Sequence, residues 1–243
     1  MSKIKIIKKI KANFIRFQLH RIFGPFATLF IYLGYLTRLS KWAYNNKKKL
    51  GINDFYNSKV VHADRFKLYQ YVLEKESLKD SEFNYIEFGV GRGNSMKWWT
   101  ENTTNPSSNF FGFDTFTGLP EDWGTYKAGT FSLGGNFPEI VKDQRVKFYK
   151  GLFQETLYGA LPDIKFDKRN IIHLDGDMYS SALFPMAVMF PYLKTNDLIL
   201  FDEFVVPMHE YRMYEDFLDS FPCKLEPIGA VNNYLQVAFR LVK

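Results

Sequence analysis

A 243-residue chain with 46% hydrophobic and 18% aromatic residues can bury a sizeable core, which excludes a disordered or low-complexity polymer. Its one cysteine, Cys223, excludes an internal disulfide or a cysteine-cluster metal site and fits a reducing, cytoplasmic setting. The net charge of +6 is uneven: residues 1–50 hold 12 Lys and Arg and no acid, while the rest hold 20 against 26 acids, so the body is acidic and would repel a nucleic-acid backbone.

From Lys3 to Arg21, Ile7, Ile10, Phe14 and Phe17 fall at helical spacing among lysines and predict a basic amphipathic helix. Ile22 to Thr37 carries no charge, but sixteen residues broken at Gly24-Pro25 fall short of the roughly 20 that span a bilayer and suit an interface instead. Residues 1–37 are therefore expected to meet an anionic membrane surface, peripherally on its inner face. Packing on the body, or a contact between two copies in a homo-oligomer, are the other uses of such a segment. A secretory signal is disfavoured by the long basic portion and by the lack of a small-x-small site after Leu36. Asn46 to Asn57 is polar and turn-rich, a candidate linker between an extension at 1–50 and a body at 60–243. Val61 to Glu76 has helical periodicity and would cover the sheet before its first strand.

The body opens on Asn84-Tyr-Ile-Glu-Phe-Gly-Val-Gly-Arg-Gly-Asn-Ser95, an apolar strand running into a glycine-rich turn and a helix. Glycines at 89, 91 and 93 let the backbone turn tightly and approach a ligand, and a helix from Asn94 would aim its free N–H groups at that ligand. A dinucleotide site would read G-x-G-x-x-G, whereas the sixth position here is Asn94. The same turn also occurs in α/β proteins that bind something else. Met96, Trp98 and Trp99 read as core. The second strand, Phe110 to Asp114, ends in an acid one strand over, where a ribose diol is commonly held. Thr115 to Pro138 carries five glycines and no periodicity, as lids and binding loops do. Its Trp123, Tyr126 and Phe131 would stack on a sugar or aromatic ring, or seal the loop. A third strand, Arg145 to Tyr149, leads through Gly151 into a helix.

Asn170 to Asp175 and Asp197 to Glu203 read as two strands joined by a helical run, Ser180 to Lys194, and so as parallel neighbours with their carboxyl ends on one edge. Neighbouring strands lie about 4.8 Å apart, so Asp175, Asp177, Asp202 and Glu203 should converge. Two carboxylates 4 Å apart repel by roughly 4 kcal/mol at an effective dielectric near 20. A hard divalent cation, Mg²⁺ first, relieves that repulsion; the bland alternative spends some of these acids on helix caps and turns.

In combination, Glu87-Phe-Gly-Val-Gly, Gly112-Phe-Asp-Thr-Phe-Thr-Gly-Leu-Pro-Glu-Asp-Trp123, Gly151-Leu-Phe-Gln-Glu-Thr-Leu157, Leu174-Asp-Gly-Asp-Met-Tyr-Ser-Ser181 and Phe201-Asp-Glu-Phe204 resemble the macrocin O-methyltransferase family over about residues 60 to 240. The resemblance implies a metal-dependent enzyme that moves a methyl group from S-adenosylmethionine (SAM) to a sugar or glycan hydroxyl. It implies a Rossmann-like, seven-stranded, mostly parallel sheet with helices on both faces; Lys224 to Gly229 and Leu235 to Val242 supply the last strands, the final one antiparallel. It places the cofactor against Glu87, Gly89, Gly91, Gly93 and Ser95, its ribose by Asp114, Thr115 and Phe116, and its adenine by Gly151, Phe153 and Gln154. Metal ligands are implied at Asp175, Asp202 and Glu203, with Asp177 as the general base; many members carry two aspartates where this chain has Asp202-Glu203. His173 reads as a core histidine, and His209 as a substitute base near the rim. A catechol-like acceptor, or a non-catalytic membrane-surface module retaining the fold, are the competing readings; the four acids argue against the latter.

Overall fold

The computed structural model describes residues 3–243. One sheet holds seven strands: β1 (Phe83–Phe88), β2 (Asn109–Asp114), β3 (Val146–Lys150), β4 (Arg169–Leu174), β5 (Leu198–Phe201), β6 (Lys224–Val231) and β7 (Gln236–Val242). Their order is β3-β2-β1-β4-β5-β7-β6, with β7 antiparallel to both of its neighbours. This is the mostly parallel, doubly covered sheet that the sequence predicts.

β1 lies at the centre and is buried along its whole length, as an apolar run with helices on both sides requires. Side chains alternate across it. Phe83 and Tyr85 pack with α3 (Arg65–Lys75) and α4 (Asn94–Asn102), while Ile86 and Phe88 pack with α5 (Phe153–Ala160), α6 (Tyr179–Met189) and α7 (Glu210–Ser220). From β1 the order runs to β2 on one side and to β4 on the other, and such a reversal opens a crevice beyond the carboxyl ends of the strands. The glycine turn and all four acids of interest lie at those ends.

Five segments differ from expectation. The amphipathic helix α1 (Lys3–Arg16) ends earlier than Arg21, and α2 (His20–Asn46) continues through Gly24-Pro25 where a break was expected. The break sits instead at Gln18, which adopts φ 49; Gln18 N–H donates to the Ile15 carbonyl and Leu19 N–H to the Phe14 carbonyl, a Schellman closure. Pro25 forfeits only one helical hydrogen bond, and Gly24 beside it has open space around it. At 27 residues α2 is long and apolar enough to cross a membrane by length and composition.

The expected linker is pinned to the body. Gly51 N–H donates to the Ile228 carbonyl, Ala230 N–H donates to the Ile52 carbonyl, and the Asp54 carboxylate accepts from the N–H groups of Asn232 and Asn233 at 2.8 and 3.0 Å. Leu39, Trp42, Asn46 and Leu50 are already buried, so only the chain before about Arg38 stands free. Finally, α7 follows β5 where only a rim histidine was anticipated, and α6 closes in a short 3₁₀ turn at Phe190–Tyr192 instead of running on to Lys194.

Candidate active site

The glycine turn forms the floor. Gly89 has φ +95, and a Cβ there would fall 1.8 Å from the Asp175 carbonyl oxygen, so the β1 and β4 ends touch only because this residue has no side chain. Gly91 has φ +49 and nothing within 4 Å of its Cβ position, leaving the backbone open to an incoming group. Asp114, at the end of β2, fixes the turn: its Oδ2 accepts from the N–H groups of Val90 and Gly91 at 2.9 and 2.8 Å, and its Oδ1 from Phe116 N–H at 2.6 Å. A carboxylate accepts about four hydrogen bonds, so capacity remains for a ligand hydroxyl.

Above this floor lies a cavity of about 1030 Å³. Its wall includes Gly89, Gly91, Ser95, Asp114, Thr115, Phe153 and Gln154 along the β1–β3 side, and Asp175, Asp177, Asp202 and Glu203 along the β4–β5 side. The expected lid folds over it without helix or strand, held by paired hydrogen bonds between the Trp123 and Tyr126 backbones. Trp123, Tyr126 and Phe131 all face the cavity, with Trp123 and Tyr126 stacked at 5.5 Å. Four residues expected at the cofactor stand behind the wall. Glu87 is buried under the turn, and Gly93 sits against Pro138 and Val141. Phe116 packs on Phe137 and Phe148, and Gly151 donates its N–H to the Asp114 carbonyl. They shape the site from below.

Leu174 pairs with Phe201 in the β4–β5 register, so Asp175 and Asp202, the next residues, are brought together. The Arg65 guanidinium, at the start of α3, bridges them: Nη1 reaches Asp175 Oδ2 at 3.3 Å and Nη2 reaches Asp202 Oδ2 at 3.0 Å. Burial disfavours the charge on Arg65, but Asp202 and Asp175 outweigh this and hold it charged. Burial, then Asp202, raises the Asp175 carboxyl well above the usual range. Burial followed by Asp202 pushes Asp177 up to about 7, and burial, Asp202 and Asp177 push Glu203 up to about 8. These are acids crowded out of water with one guanidinium among them.

His173 behaves as a core residue. Its Nδ1 lies 2.7 Å from the Tyr85 hydroxyl and its Nε2 3.3 Å from the Tyr69 hydroxyl, and burial followed by Arg65 lowers its pKa to about 3. His209 accepts the Tyr179 N–H at 3.3 Å and lies off the cavity wall.

Donor atoms of Asp175, Asp202 and His173 lie within 4.8 Å of one another; Glu203 lines the cavity but falls outside that group. With both nitrogens of His173 engaged by tyrosines, the free donors are carboxylate oxygens, and the buried Oδ1 of Asp202 takes no hydrogen bond among the described residues. Hard oxygen donors with an orphaned lone pair fit a hard divalent cation. The Glu203 backbone is held by Glu210, a buried acid opening α7 whose Oε2 accepts the Glu203 N–H at 2.9 Å.

Arg65 and Glu210 are among the site residues that the sequence reading missed. Arg65 lies 110 positions from Asp175, and its one local signal is a lone arginine opening the helix before β1. Glu210 reads as an ordinary helix-opening acid, since acids favour the first turn.

Residues 135–239 match the family model described as Macrocin-O-methyltransferase (TylF). The 8-demethyl-8-(2,3-dimethoxy-alpha-L-rhamnosyl)-tetracenomycin-C 4'-O-methyltransferase of Streptomyces olivaceus is 24% identical over 178 residues, 63% of this chain and 67% of that protein. Among solved structures, the calicheamicin methyltransferase CalS11 superposes with a TM-score of 0.60 at 19% identity, covering 86% of this chain and 91% of that one. The O-methyltransferase NovP gives a TM-score of 0.52 at 16% identity, covering 73% and 79%. The two structures share the fold; the family model and the curated relative bear out the resemblance read from the motifs.

Proposed function

We propose that this chain is a SAM-dependent O-methyltransferase, that its acceptor is a hydroxyl of a sugar or glycan and that Mg²⁺ serves the transfer; the family model over residues 135–239 and the curated relative support the class. One observation carries the reading: the aromatic lid residues Trp123, Tyr126 and Phe131 share one cavity with the glycine turn and the four acids. Aromatic faces suit the apolar C–H faces of a sugar ring, and the acids suit its hydroxyls. The S. olivaceus relative is named for a methyl transfer to a rhamnosyl hydroxyl, which agrees.

Asp175 and Asp202 would hold the cation, with Glu203 at the edge of the site. Bound there, Mg²⁺ supplies Lewis acidity that eases deprotonation of the acceptor hydroxyl. The protein does the rest. The turn from Gly89 to Gly93 and Ser95 receives the methionine end of SAM, Asp114 offers its remaining acceptor capacity to the ribose, and Phe153 and Gln154 flank the adenine. Asp177, on the cavity wall and poised near neutrality, takes the hydroxyl proton. As the oxygen's electron pair bonds the methyl carbon, the carbon–sulfur bond breaks and its electrons return to sulfur, leaving S-adenosylhomocysteine.

The test is transfer of labelled methyl from SAM by the full chain to a panel of nucleotide sugars, rhamnosides and catechols, with and without EDTA. Sugar methylation abolished by EDTA and restored by Mg²⁺ is expected. Methylation of catechols alone would overturn the acceptor class, and transfer unaffected by EDTA would overturn the metal.

A further inference from the structure

We infer that α1 and the free part of α2 form an anchor that seats this enzyme on an anionic lipid bilayer, with both helices in one leaflet. From Lys3 to Arg38 no residue is buried; only Asn13, Leu19 and Tyr35 are even partly covered. The burial of α2 begins at Leu39, so some five turns of helix stand out from the body.

The uncovered surface is not that of a water-facing helix. Ile22 to Thr37 is uncharged on every side. Exposed Phe26, Leu29, Phe30 and Leu33 cover one broad arc, and exposed Ile31 lies about 160° round from Leu29 at 100° per residue. A helix apolar all round requires cover all round. A second copy docked on one face would leave the opposite face in water, whereas lipid tails enclose the whole circumference. That geometry favours a bilayer over a protein partner.

Charge then selects the bilayer and the depth. α1 carries six Lys and Arg and no acid, and Lys5, Lys8, Lys9 and Arg16 lie opposite an arc that includes Ile7, Ile10 and Phe14, which is the pattern of a helix lying among anionic headgroups. The ring of Phe14 stacks on Phe23 at 5.7 Å, so the two helices meet at their joint through apolar contact. Although the whole of α2 is long and apolar enough to cross by length and composition, its uncharged stretch of sixteen residues extends about 24 Å, less than the roughly 30 Å hydrocarbon core, and is bounded by Arg21 and Arg38. Crossing would also carry all the charge of α1 through the membrane. Both constraints keep the pair in the leaflet that α1 contacts.

The experiment is flotation of the full-length protein with vesicles of phosphatidylcholine, alone or with 30% phosphatidylglycerol, alongside size-exclusion chromatography without lipid. Wild type is expected to float with the anionic vesicles. Lys5→Glu/Lys8→Glu/Lys9→Glu should lower that affinity at least tenfold, and Phe26→Asp/Leu33→Asp should abolish it. Turnover of a soluble acceptor should be unchanged in both. Wild type that stays unbound on both vesicles, or a Phe26→Asp/Leu33→Asp variant that floats like wild type, would overturn the inference. So would a discrete lipid-free oligomer that the aspartate pair dissolves and vesicles do not, since the surface would then belong to a second copy of the chain.

Discussion

Asp177 sits on the cavity wall with φ 62, a left-handed conformation that most side chains avoid and that asparagine tolerates well. Asp177→Asn therefore removes the proposed base without disturbing the turn. Turnover should fall by about 10²- to 10⁴-fold while S-adenosylhomocysteine affinity by calorimetry stays within about twofold. Unchanged turnover would take the proton transfer away from this residue. Arg65 poses the complementary question, because its guanidinium already bridges the two carboxylates that a cation would also occupy. Removing one partner of a buried ionic cluster leaves the others uncompensated. Arg65→Gln should cost about 3 kcal/mol in chelator, read as a lowered midpoint in urea, and Mg²⁺ should restore more stability to the variant than to wild type. Equal responses to Mg²⁺ would mean that Arg65 and the metal do not compete.

At the scale of elements, the glycine turn joins β1 to β4 through a contact that admits no side chain. Gly89→Ala would drive a methyl group into the Asp175 carbonyl, and backbone against backbone cannot yield cheaply. Gly91→Ala meets open space and carries only the strain of its φ, about 1 kcal/mol. Denaturant titration should find the first variant several-fold more destabilised than the second, and the first should also lose the Asp175–Asp202 juxtaposition, seen as lost Mg²⁺ binding. The strands around this turn were legible because each is a short apolar run ended by a glycine or an acid, and parallel pairing then forced Asp175 and Asp202 together. The helices at the start of the chain were less so. Gly24-Pro25 looks like a break by composition, yet the break falls at Gln18, whose left-handed backbone no residue preference announces. Asn46 to Asn57 looks like a linker because it is polar, but its polar groups are spent on β6 and the β6–β7 turn, a pairing visible only in three dimensions. Arg65 escaped notice for the same reason, since its partners are set by topology and not by spacing.

For the molecule as a whole, the boundary between the proposed anchor and the body lies inside α2. Trp42 fills a niche among Phe204, Tyr234 and Phe239, with ring centroids 4.7, 5.9 and 5.8 Å away, and its indole N–H donates to the Tyr214 hydroxyl at 3.1 Å. Leu39 and Leu50 are buried beside the same core. Removing residues 1–36 should therefore leave a folded body, with a melting temperature within about 3 °C of the full chain and undiminished transfer to a soluble acceptor. Removing residues 1–50 strips out all three side chains. Emptying a large aromatic site alone costs about 3–5 kcal/mol, and a domain of this size loses roughly 2–4 °C per kcal/mol, so the melting temperature should fall by about 10 °C or more. The last helical turns also pack on α7, which carries Glu210 and through it steadies Glu203, so the longer deletion should weaken Mg²⁺ binding as well as stability. Calorimetric melts and Mg²⁺ titrations of the two truncations decide the matter: equal behaviour would place the whole of α2 outside the catalytic body, whereas a loss confined to the longer deletion would make its final turns part of the enzyme's core.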